Sequence, residues 1–68
     1  MDWVPQFWLV FRDINGDRNE LWDTSNGEPH VNGDLVVDGA TIEIRGVRWL
    51  ALREDLDDGL IRFVCTRV

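Results

Sequence analysis

Reactive side chains are scarce in this chain. It has one Cys, one His and no Tyr, and all its positive charge comes from seven Arg, with no Lys. A lone Cys65 excludes an intramolecular disulfide, the staple on which small secreted domains depend. A lone His30 leaves a zinc centre or a nucleophilic pair short of partners, since each needs several such groups together. The longest apolar run, Phe7–Phe11, is far too short to cross a bilayer. No basic stretch leads into a long apolar segment, so no signal peptide is expected. These absences point to a reducing, cytoplasmic setting. No stretch carries a helical period either. Leu52–Leu56 has room for one helical turn and no more.

What the chain does hold is aromatic surface. Its 68 residues form a single domain spanning residues 1–68. A domain near this size buries only about 60% of the surface its unfolded chain exposes. Four Trp (Trp3, Trp8, Trp22, Trp49) and three Phe (Phe7, Phe11, Phe63) answer that, because large aromatics bury the most area per residue. Trp3 is a candidate anchor in the lead-in to the first strand.

The net charge of −6 argues against a role in coating DNA or RNA, and against an anionic membrane surface. Residues 1–40 carry all of it, with two Arg against eight acids. Residues 41–68 hold five Arg and five acids and are neutral. The acidic half reads first as solubility and second as a patch for a basic partner.

Side chains on a strand alternate between two faces. The segment after Pro5, Phe7–Asp13, puts Phe7, Leu9 and Phe11 on one face and Trp8 and Val10 on the other. Asn15-Gly16 predicts a type I′ hairpin turn, which needs positive φ at both central residues. It returns the chain into Arg18–Thr24, where Leu21 and Trp22 point to opposite faces. Asn32-Gly33 is a further turn signal. Asp34–Val37 predicts a short strand with Leu35 and Val37 inward, and Asp38-Gly39 predicts a hairpin pairing Leu35 with Ile42. Thr41–Arg45 follows with Ile42 and Ile44 inward. Arg45-Gly46 then sets Ile44 by Val47, Ile42 by Trp49 and Glu43 by Arg48.

The last third predicts two strands, Val47–Arg53 and Leu60–Val68, joined by an acidic turn at Asp57-Asp58-Gly59. Val47, Trp49, Ala51, Ile61, Phe63 and Cys65 share the core face. One register sets Ala51 opposite Phe63 and Trp49 opposite Cys65, with Leu50 beside Val64 and Leu52 beside Arg62 on the second face. A half-buried antiparallel strand alternates cleanly, and these strands are apolar on both faces. Short strands separated by tight turns predict an all-β fold. The expectation is a small SH3-like or OB-like open barrel of five to six antiparallel strands joined by tight hairpins.

The pair Phe7–Leu9–Phe11 and Leu21-Trp22 resembles the opening strand pair of MbtH-like proteins. The likeness covers two strands. That family's Gly-Trp segment and terminal helix have no counterpart here, and the resemblance implies nothing further.

Chemistry-bearing groups are sparse. Asp13, Asn15, Asp17 and Asn19 alternate as the first ligands of a calcium loop do, yet Arg18 stands where that loop needs Gly and Thr24 where it needs a bidentate acid. Ordinary turn chemistry accounts for them. Glu28 and His30 share a loop, while Cys65 falls on a core position, so a Cys–His pair is not expected. Glu54, Asp55, Asp57 and Asp58 cluster at the last turn as solvated acids. No catalytic residue, cofactor or metal site is expected. Three strands with two apolar faces and no helix to cover the second imply a non-catalytic interaction module. It would self-associate or dock on a protein through Trp8, Val10, Leu50, Leu52 and Val64, rimmed by Arg48 and Arg62. The alternative is an aromatic-lined groove for a small ligand or single-stranded nucleic acid, using Trp8 or Trp22 with Arg45, Arg48, Arg62 and Arg67.

Overall fold

The computed structural model describes residues 5–57 and 59–68. Trp3 and Asp58 lie outside the described residues. The fold is all-β. Seven strands follow in chain order: β1 (Gln6–Asp13), β2 (Gly16–Asp23), β3 (His30–Val31), β4 (Asp34–Leu35), β5 (Ala40–Ile44), β6 (Val47–Asp55) and β7 (Ile61–Arg67). Five of them form one open sheet in the order β2-β1-β7-β6-β5, and β3 and β4 form a separate small hairpin. The pairs are antiparallel except one: β1 and β7 run parallel, with Val10 beside Val64. That pair joins segments far apart in sequence, so no turn signal announces it.

The core lies on one face of this sheet. Phe7, Leu9, Phe11, Ile42, Ile44, Trp49, Ala51, Phe63 and Cys65 are buried there, and Val31 and Val36 of the hairpin segment close over them. Phe7 meets Phe63 edge-on at 6.1 Å between ring centres, and Phe11 meets Trp49 at 4.9 Å. The sheet curls around this core. Arg45, in the turn after β5, reaches Glu20 of β2 at 2.6 Å, so the two ends of the strand order are clasped by an ion pair. The hairpin is fastened at its tip, where the Asn32 side-chain amide donates to the Glu43 carbonyl at 2.8 Å.

Several turns follow their sequence chemistry. Arg45 and Gly46 have φ of 50° and 81°, which makes the two-residue turn that sets Ile44 by Val47, Ile42 by Trp49 and Glu43 by Arg48. Asn32 and Gly33 turn the β3–β4 hairpin in the same way, with φ of 54° and 84°. The Asn15-Gly16 expectation is corrected. Only Gly16 has positive φ, and the two-residue loop is Ile14-Asn15, closed by the Asp13–Gly16 pair. The Asp13 carboxylate accepts from the Ile14 amide at 2.7 Å and favours this alternative.

The Asp38-Gly39 hairpin is also corrected. β4 pairs with β3 rather than β5, and Leu35 stands opposite His30, not Ile42. Val36 is buried at 2% exposure, whereas Leu35 and Val37 are 49% and 51% exposed, so the inward face is the reverse of the expected one. The physical reason is a short local turn. Ala40 donates back to the Val37 carbonyl at 3.0 Å, and the Gly39 amide is taken by the Ala51 carbonyl at 2.8 Å.

The last hairpin keeps its predicted faces, but its register slides by two residues. Ala51 faces Cys65, Trp49 faces Arg67, Leu52 faces Val64 and Leu50 faces Thr66. β6 continues through Glu54 and Asp55 instead of turning helical after Leu52, because both residues join the β7 ladder opposite Arg62 and Ile61; Arg62 and Arg53 also pair with those acids at 3.0 Å each. A slip of two leaves every side chain on its original face, so the hydrophobic pattern cannot detect it.

Candidate functional site

The outer face of the sheet gathers all seven residues of the predicted patch. Trp8 and Val10 alternate with buried Phe7, Leu9 and Phe11 on β1. Arg62 and Val64 face the same way on β7, and Arg48, Leu50 and Leu52 on β6. Cross-strand registers make them neighbours. Val10, Val64 and Leu52 form one row across three strands. Trp8, Arg62 and Glu54 form the row on one side of it, and Arg12, Thr66 and Leu50 the row on the other.

Val10 and Val64, each 9% exposed, floor a shallow depression of about 310 Å³ walled by Trp8, Arg12, Arg62 and Leu56. Leu52 remains 45% exposed, and Leu21, opposite Trp8, 44%. Leu21 and Leu56 therefore belong to the patch although sequence reasoning passed them over. With Asp13 and Gly16 closing the first hairpin, in place of the expected Asn15-Gly16 turn, the register sets Leu21 opposite Trp8.

Each Arg on this face stands beside an acid. One Arg62 amino group contacts both oxygens of Glu54 at 3.0 Å. Arg12 lies 3.8 Å from Asp17, and Arg48 stands opposite Glu43. The Nε of Arg62 is buried with no acceptor among the described residues. An unsatisfied buried donor costs on the order of 1–3 kcal/mol, more when charged.

The groups of the alternative groove are dispersed. Trp22 packs against the core on the opposite face from Trp8, and its indole donates to Glu20 at 3.1 Å. Arg45 lies over the Phe11 ring and pairs with Glu20. Arg67 lies over Trp49, with 5.9 Å from its guanidinium carbon to the ring centre. Of these groups, only Arg62 and Arg48 share the outer face with Trp8.

The remaining sequence candidates carry structural roles. Asp17 and Asn19 project from β2 on the outer face, while Asp13 holds its own turn, so the calcium-like residues do not converge. His30 Nδ1 sits 3.0 Å from the Glu28 carbonyl oxygen, which can only accept, so that nitrogen carries the proton. Cys65 is fully buried, with its sulfur 3.7 Å from the Phe63 carbonyl oxygen. Burial pushes its thiol up to about 11, so it is neutral and a poor nucleophile near pH 7. Among the described residues, no group of three or more His, Cys, Asp or Glu is placed to hold a metal ion. No described helix is long and apolar enough to cross a membrane.

No protein-family model, curated protein or solved structure matches this chain.

Proposed function

We propose that this protein is a non-catalytic interaction module that associates with a second copy of itself through the outer sheet face. The observation that supports this reading is the apolar row Val10–Val64–Leu52 with Trp8 and Leu50 beside it. It runs unbroken across three strands on the face away from the core. Two sheets pack face to face by interdigitating such rows at a spacing of about 10 Å. Local charge does not oppose a like partner. The chain carries −6, yet each outer-face Arg stands beside an acid, so two copies of this face meet without strong repulsion. The Arg62 Nε also gains an acceptor if a partner's oxygen enters the depression. An interface centre of aromatic, aliphatic and Arg side chains has this composition. The deciding experiment is solution mass across a concentration series for the native chain and the Leu52→Glu and Leu50→Glu variants. Self-association predicts a dimer that both substitutions dissociate while the fold persists. Unfolding of Leu50→Glu, with Leu52→Glu still dimeric, would instead make Leu50 a core residue and remove the face from the account.

A further inference from the structure

The outer edge of β2 borders that sheet face and carries a second feature, its own main-chain groups. Thr24 donates to the Pro5 carbonyl at 2.9 Å, one residue beyond the Gln6–Asp23 pair. Hydrogen-bonded and open pairs alternate along an antiparallel ladder. The residues of β2 bonded to β1 are therefore Gly16, Arg18, Glu20 and Trp22. Asp17, Asn19, Leu21 and Asp23 turn their amides and carbonyls away from β1, toward the side where no described strand follows in the sheet.

The other edge is treated differently. β5 has five residues, and the Asn32 side chain occupies the Glu43 carbonyl. β2 has eight residues and no such latch among the described contacts. Edge strands of this length invite pairing with another chain unless charge prevents it. The charge here is acidic. β2 holds three acids and one Arg, and both Glu20 and Arg18 are engaged with each other. Asp17, 3.8 Å from Arg12, and Asp23, which accepts from the Gln6 side-chain amide at 2.9 Å, flank the outward stretch on the outer face with exposed Leu21 between them, and the strand keeps an excess of acid. Two such strands repel one another. A basic strand does not.

We infer that the β2 edge is a docking site for an extended basic segment of a partner protein, added as a sixth strand. Strand addition draws affinity from main-chain hydrogen bonds and specificity from alternate side chains. From Asp17 to Asp23 the edge spans about 20 Å. The fitting sequence has a cation opposite each of those acids and apolar residues opposite Asn19 and Leu21.

The test titrates the full chain with a capped seven-residue peptide, Arg at both ends, Val at its third and fifth positions and Thr elsewhere. Antiparallel addition sets its two Val opposite Asn19 and Leu21, with their amides turned toward the β2 edge. The inference predicts that the amides of Asp17, Asn19, Leu21 and Asp23 shift and gain protection from hydrogen exchange. N-methylation of the two Val amides is expected to weaken binding at least tenfold. The double change Asp17→Asn and Asp23→Asn is expected to weaken it severalfold and to flatten its salt dependence. Asn19→Pro removes one outward amide while sparing the β1 ladder, and it should abolish binding; if that variant unfolds, the methylated peptide and the charge variant still decide. Equal binding of the methylated peptide, protection confined to Thr41 and Glu43, or no binding at all would overturn the inference. Leu52→Glu leaves this binding intact, so the edge and the sheet face fail separately.

Discussion

Glu20 shows how much one side chain can organise in a small β fold. It accepts from Arg45 and the Trp22 indole and forms an ion pair with Arg18 at 3.1 Å, and both Arg lie over the Phe11 ring. Burial alone raises its carboxyl. The Arg45 and Trp22 hydrogen bonds and the charges of Arg45 and Arg18 outweigh that and hold it below its ordinary value of 4.5. A depressed folded-state value contributes stability that is present above the unfolded value and lost as pH falls through the folded one. The melting temperature of the native chain should therefore drop below about pH 4.5. Glu20→Gln should melt lower at pH 7, with the gap closing as the pH falls; a gap independent of pH would separate Glu20 from the clasp. Cys65 gives a second residue-scale expectation. With its thiol buried and its titration raised to about 11, a disulfide reagent should leave it unmodified in the native state at pH 7 and label it fully in denaturant.

At the scale of elements, legibility followed locality. The Arg45-Gly46 hairpin was readable because two residues with positive φ fix its register within four positions. Gly46 at φ 81° makes this testable. Gly46→Val places a β-branched residue in the left-handed region and should cost on the order of 1–2 kcal/mol, measured by denaturant unfolding. The faces of β1, β6 and β7 were also readable, because burial follows a period of two. Register in the last hairpin was not, since a slide of two preserves every face. The reversed Leu35–Val37 segment had a different cause. Its three apolar residues alternate equally well in either phase, and the phase was set by the hydrogen bonds around Gly39 and Val36, which tertiary packing decides. The parallel β1–β7 pair had no local signal of any kind.

The whole molecule is a curled sheet with its core on one side and a paired-charge apolar face on the other. That face was legible for a simple reason. Once Phe7–Phe11, Trp49–Ala51 and Phe63–Cys65 are assigned inward, alternation sends Trp8, Val10, Leu50, Leu52, Arg62 and Val64 outward together. What alternation could not supply was adjacency between β1 and β7, and hence the row Val10–Val64–Leu52 and the place of Leu21 and Leu56 at its border. Leu52 at the end of that row is the most informative position, because it is half-exposed and absent from the core. Light scattering coupled to size-exclusion chromatography, from micromolar to millimolar protein, tests the central claim most directly. The account predicts a mass rising to twice that of the chain, and Leu52→Glu held at the single-chain mass with an unchanged circular dichroism spectrum. A native chain that stays monomeric throughout, or a Leu52→Glu variant that dimerises as the native chain does, would contradict it.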